Sequence, residues 1–210
     1  TFNNTGSYQF VTSAVIITGA LLHTAGTVNF NGIAFTIGGL FSSTGATART
    51  LTFGASIITS TMTAGAFTYS GSNLTVSANT AVLVFSGAAP TIAVVDSTDF
   101  SGLSFRFTGA AGTVTWSNTA TIGSLSISPT TTKTFTITEG KTLTLTGGMY
   151  TYAQGGLITL TGGTISRAAG ATINLCQILS TTITFTGGAT WNFCNNSVTT
   201  AANATTYGYN

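Results

Sequence analysis

The chain has 210 residues, with 47 Thr, 20 Ser and 26 Gly, and only 4% of it is Asp, Glu, Lys or Arg. Five basic and three acidic residues are too few to build a phosphate-contacting stripe, which excludes a nucleic-acid-binding surface of the usual kind. Mean hydropathy is +0.44, yet Thr18-Gly19 and Ser86-Gly87 interrupt the apolar runs, so none approaches the roughly 20 residues of a membrane-spanning helix.

The predicted elements are short strands from the start. Tyr8-Gln9-Phe10-Val11 and Ala14 to Leu22 come first, followed by Thr27 to Asn31 and Ile33 to Ile37 with glycine turns between them. Thr50 to Gly54, Ala66 to Tyr69, Leu74 to Val76 and Ala81 to Phe85 continue the pattern. Pro90, lacking an N–H, is expected at a corner rather than in a central ladder, and Pro129 marks a second corner after Leu103 to Phe107, Thr113 to Trp116 and Leu125 to Ile127. No helical periodicity and no charged linker interrupts this rhythm. Residues 1–210 therefore read as one all-β repeat domain with a polar tail over 201–210.

Between Lys133 and Cys194 one phrase recurs: Leu143-Thr-Leu-Thr-Gly-Gly148, Ile158-Thr-Leu-Thr-Gly-Gly163 and Ile183-Thr-Phe-Thr-Gly-Gly188. Side chains alternate across a strand, so each copy buries its apolar set and exposes its threonines, and the glycines supply a turn. A second echo has a definite offset. Ile173-Asn-Leu-Cys176 and Trp191-Asn-Phe-Cys194 repeat apolar-Asn-apolar-Cys 18 residues apart. If 18 residues make one turn of a parallel β-solenoid, Ile173 lies on Trp191 and Leu175 on Phe193 inside, with Cys176 beside Cys194 outside. The competing architecture is a β-sandwich or jelly roll completed by a neighbour's strand, in which the same segments would be antiparallel.

These Thr/Gly-rich, nearly uncharged phrases resemble the repetitive β-solenoid segments of phage fibre proteins and large bacterial surface adhesins. The resemblance spans most of the chain in texture and transfers no site residue. It implies an extended, non-enzymatic surface element.

Residues that could carry chemistry are few. Asp96 and Asp99 could form the carboxylate pair of a solenoid depolymerase, but in the turn Asp96-Ser-Thr-Asp99 the expected role is capping of nearby N–H groups. His23 is the only histidine and is expected at a strand end or the surface. With so few ligands, no metal or cofactor site is assigned. Cys176 and Cys194, the only cysteines, are the candidate disulfide, since strands about 4.8 Å apart bring Cα atoms within bridging range. Asn3, Asn73, Asn195 and Asn203 begin Asn-x-Ser/Thr sequons, about as many as so Thr/Ser-rich a composition produces by chance. Trp116 and Trp191 are in phase with inward apolar neighbours and are expected in the core.

The functional expectation is a structural protein: a subunit or segment of an extracellular or virion fibre or filament, self-assembling or pairing with neighbouring fibre chains. An unpaired solenoid end recruits further strands, and Tyr8, Phe10, Val15, Ile17, Tyr207 and Tyr209 are the candidate inter-subunit residues. The chain begins with Thr1, which suggests a processed chain or a segment of a longer one. The alternative function is an adhesin module binding glycans or a receptor.

Overall fold

The computed structural model describes residues 1–12, 14–69, 73–95, 98–152, 157–167, 172–176, 178–181, 183–186, 190–194 and 208–209. It is a parallel β-solenoid with three faces, and the described residues contain no helix. Ser7–Gln9, Ala14–Ile17 and Leu21–His23 form the first coil, one strand per face. Gly26–Asn29, Ala34–Ile37 and Phe41–Ser43 lie on them as the second. The third coil is Arg49–Thr52, Ile57–Ser60 and Ala64–Tyr69, and the fourth is Leu74–Ser77, Val82–Phe85 and Ala89–Ala93. Further on, Thr98–Phe107, Ala120–Ile127, Lys133–Leu145 and Ile158–Arg167 each run round a corner and serve two faces. Gly112–Trp116, Met149–Thr151, Thr172–Cys176, Ile178–Thr181, Thr184–Thr186 and Thr190–Cys194 complete the later coils.

Every strand pairing among the described residues is parallel, which excludes the sandwich. The register of Thr172–Cys176 on Thr190–Cys194 is the one expected from the 18-residue echo: Ile173 opposite Trp191, Asn174 opposite Asn192, Leu175 opposite Phe193 and Cys176 opposite Cys194. Eighteen residues is nevertheless a local spacing. Ser7 pairs with Thr27, Arg49 with Leu74 and Phe41 with Phe67, so corner loops of different length separate faces that stay in register. This variation hides the repeat from a search at fixed period.

Alternation fills the interior. Val28, Phe30, Leu51, Phe53, Phe105, Ile122, Leu125, Leu145 and Leu160 are fully buried, while the threonines between them face out. At the corner from the first to the second face, Phe10, Phe30 and Phe53 form a stack, with centroids 5.8 and 5.2 Å apart. The same corner holds Asn31 at φ 54° and Asn79 at φ 47°, a left-handed backbone that asparagine tolerates. At the next corner a Cβ on Gly109 would overlap the carbonyl oxygen of Gly87, so close stacking of bare backbone requires glycine there.

Pro90 departs from expectation. It lies within the third-face strand Ala89–Ala93, opposite Gly65. The ladder to the following coil starts only at Thr91 opposite Thr115, after the position where proline has no N–H to give. Pro129 does sit at a corner, between Ile127 and Lys133.

Leu145 and Thr144 are neighbours on opposite sides of one strand, the first fully buried and the second facing out. Leu145→Ala should cost about 2–5 kcal/mol through lost burial and a residual cavity, and Thr144→Ala far less. Urea unfolding followed by circular dichroism measures the difference. Equal midpoints for the two variants would contradict the assigned register.

Candidate functional site

The carboxylates do not form a catalytic pair among the described residues. Asp99 is exposed, and its Oδ1 accepts a hydrogen bond from the Ser101 N–H at 2.8 Å, the capping role expected of it. Asp96 lies outside the described residues. Glu139 is exposed at the corner after the strand pair of Lys133–Ile137. Among the described residues no three His, Cys, Asp or Glu side chains are grouped as a metal site requires, and no helix is long and apolar enough to cross a membrane.

His23 is a correction. It does end a strand, but it is buried, with 0% exposure. Its Nδ1 lies 3.1 Å from Ser43 Oγ and its Nε2 2.9 Å from the Gly26 carbonyl oxygen. Arg49 Nη1 donates to the same Ser43 Oγ at 3.1 Å. These partners set the proton positions. A carbonyl only accepts, so Nε2 carries the proton; the Ser43 oxygen takes the arginine N–H, leaving its own hydrogen for Nδ1. Arg49, Ser43, His23 and Gly26 thus form one directed chain around a neutral imidazole. Burial lowers the His23 pKa from 6.5; the Gly26 hydrogen bond opposes this and the Arg49 charge adds to it.

Two more buried cations hold the other corners. Lys133 Nζ donates to the carbonyls of Ala88, Gly109 and Ala110 at 2.8, 3.3 and 2.8 Å, and burial lowers its pKa to about 8. Arg167 Nε donates to the Gly147 carbonyl at 2.9 Å, and its Nη atoms have no partner among the described residues. Arg49 also donates to the Gly45 and Thr47 carbonyls. Each cation supplies donors where the chain leaves one face for the next and its carbonyls lose their ladder partners. The signal for all three was the phase of alternation: Arg49 is in step with Leu51, Lys133 with Phe135 and Arg167 with Ile165. These cations are scaffold and leave two basic side chains on the strands, exposed Arg106 and partly buried Lys141.

Cys176 is disulfide-bonded, and its ladder partner is Cys194, the only other cysteine in the sequence. Trp116 is fully buried, with Nε1 donating to the Asn118 carbonyl at 2.8 Å. The Trp191 side chain lies outside what is described. Of the sequons, Asn3 is exposed, and Asn73 uses its amide nitrogen to bond the Ala46 carbonyl at 2.8 Å. Asn195, Asn203 and Tyr207 lie outside the described residues. Gly208–Tyr209 pairs with Asn192 and Phe193, the Tyr209 side chain being undescribed.

Two surface features are distinctive. The inward residues of the first coil, Tyr8, Phe10, Val15 and Ile17, are only partly buried against the core. Their equivalents one coil further on, Val28, Phe30, Phe35 and Ile37, are at most 2% exposed. Among the described residues the free side of this coil is covered only by Phe2, bridged to His23. Outward-facing Ile16 and the corner residue Val11 add apolar surface, 75% and 81% exposed; the unbroken run Ala14-Val-Ile-Ile17 gives alternation no polar partner by which to assign Ile16 outward. The second feature is Tyr150 and Tyr152, about half-exposed, with rings 6.3 Å apart and inclined by 24°.

The His23 network carries a pH dependence. Its lowered pKa means that the folded chain binds fewer protons than the unfolded chain as pH falls below 6.5. The stability it contributes is therefore complete above that value and declines as pH falls through it. Carboxylates titrate lower, near 4, so the thermal midpoint between pH 7.5 and about 5 should fall mainly through His23, and His23→Gln should flatten that fall. An unchanged slope in the variant would remove His23 as the cause.

No protein-family model matches the chain, nor does a curated protein or a solved structure.

Proposed function

We propose that the chain is a non-enzymatic structural element, a subunit or segment of an extracellular or virion fibre, built by stacking further coils on its first. The observation that carries this reading is the contrast between half-covered Tyr8, Phe10, Val15 and Ile17 and their buried equivalents one coil on. A further coil would cover those side chains at about 25 cal/mol per Å² of apolar surface and pair the free strand edges. The scarcity of charge agrees with a surface spent on stacking rather than on keeping copies apart. A second copy or a neighbouring fibre chain can supply such a coil.

The expected result is assembly of the purified chain at micromolar concentration, seen by sedimentation velocity, and its loss on Val15→Glu, which places a charge in the joint. A monomer at that concentration would sink the self-assembly reading.

Tyr150 and Tyr152 support the adhesin as a second reading. Two nearly parallel exposed rings form a platform on which the apolar face of a sugar can stack. Register neighbours Ser126 and Asn174 flank Tyr150 along the second face with hydroxyl and amide groups. On a glycan array the chain should retain a neutral oligosaccharide, with the signal lost in Tyr150→Ala. An array without signal above background leaves the structural reading alone.

A further inference from the structure

We propose that the third face binds crystalline ice through a grid of threonines, independently of any fibre the chain forms. Thr91, Thr115, Thr136 and Thr161 are in register on four successive coils, and Thr113, Thr134 and Thr159 form a second column two residues away. All seven face outward: the residues that alternate with them, Ile92, Val114, Trp116, Lys133, Phe135, Ile137, Ile158 and Leu160, are buried.

The grid is kept where the coils are not. Thr91 and Thr115 are 24 residues apart, Thr115 and Thr136 are 21, and Thr136 and Thr161 are 25. Loops of different length nevertheless return the same residue type to the same two positions. Gly112–Trp116 on Lys133–Ile137, and Lys133–Ile137 on Ile158–Gly162, each pair through five consecutive residues without a shift. The first face differs in carrying exposed Asp99, and Thr146 at its far end is turned back to the Ser101 and Ile122 carbonyls, although its own column Thr121, Thr144 and Ser166 also pairs without a shift.

Strand geometry sets the spacing of the grid at about 4.8 Å along the solenoid axis and about 6.6 Å along a strand. These repeats are close in size to the oxygen repeats along the two axes of a prism face of hexagonal ice, so a water lattice can follow the hydroxyls across a few coils. Threonine offers both a hydroxyl and a methyl, and its branched Cβ restricts rotation. Thr136 Oγ1 and Thr161 Oγ1 are 2.8 Å apart and hydrogen-bonded along their column, which fixes those side chains before a ligand arrives. No outward position of the grid strands is charged; Glu139 lies past the end of the Lys133–Ile137 segment, at the corner. A neutral, flat lattice is complementary to this surface, whereas a phosphate-rich or anionic partner is not.

The test is the gap between melting and freezing points of a single ice crystal in solutions of the purified chain, together with its partition into slowly grown ice. The chain should hold a crystal unchanged below its melting point and enter the ice. Thr136→Tyr, which breaks the grid at its centre, should reduce the gap to that of buffer, and Thr136→Val, which keeps the shape and removes one hydroxyl, should give a smaller reduction. Thr144→Tyr on the first face should leave it unchanged. Circular dichroism of each variant verifies that the coils are intact. A wild-type chain with no gap and no ice partition overturns the proposal, as does loss of activity in Thr144→Tyr with retention in Thr136→Tyr. Retention on crystalline cellulose without ice activity would assign the grid to a polysaccharide and also overturn it.

Discussion

Parallel stacking in register is the constraint on which the molecule depends. Strands about 4.8 Å apart set each residue directly on its equivalent in the next coil, so the sequence is read in columns as much as along the chain. A column tolerates like on like for aromatic rings, as in Phe10, Phe30 and Phe53, and for threonine hydroxyls. It does not tolerate like charges, which repel when directly opposite. The paired positions reflect this. Arg49 lies between Gly26 and Leu74, Lys133 between Gly112 and Ile158, Arg106 between Val84 and Ser126, and Asp99 beside Thr121. No register pair among the described residues sets charge on charge, in keeping with the scarcity of charged residues in the composition.

The corners carry the opposite problem. Along a face the backbone is satisfied by the ladder, but at each change of direction carbonyls turn away from it. Arg49, Lys133 and Arg167 bring donors to those places from inside the core. A buried charge is costly unless surrounded by acceptors, and the ring of carbonyls supplies them for Lys133. Burial still lowers the Lys133 pKa to about 8. Apolar columns hold the faces together, while a few polar groups determine how the chain passes between them.

Much of this was legible in the residues. The alternation Leu143-Thr-Leu-Thr announces a strand with one buried side, and the echo of Ile173-Asn-Leu-Cys176 in Trp191-Asn-Phe-Cys194 yields a register. What escaped was whatever depends on neighbours distant in sequence. His23 follows Leu21-Leu22, a context that places it equally well outside or in; its burial depends on Ser43 and Arg49, which only coiling brings near. Pro90 in a strand contradicts a local rule, and the ladder adapts by starting one residue later. The half-exposed state of Tyr150 and Tyr152 depends on what lies beside them across the coils, which no single strand encodes. The first coil was recognisable as apolar, but the division between its inward Val15 and Ile17 and its outward Ile16 required coordinates.

A solenoid makes most of its contacts between consecutive coils, so it can come apart by peeling, one coil after another from an end. The pairing of Thr172–Cys176 with Thr190–Cys194, and the disulfide at Cys176, change what peeling means on the C-terminal side. A covalent tie between consecutive coils lets the chain beyond it fray without loosening the coil beneath. Unwinding that comes from the C-terminal side is arrested at the tie, whereas the first coils are held by apolar contact and hydrogen bonds alone. The described coils thus differ along the axis in how they resist being drawn apart.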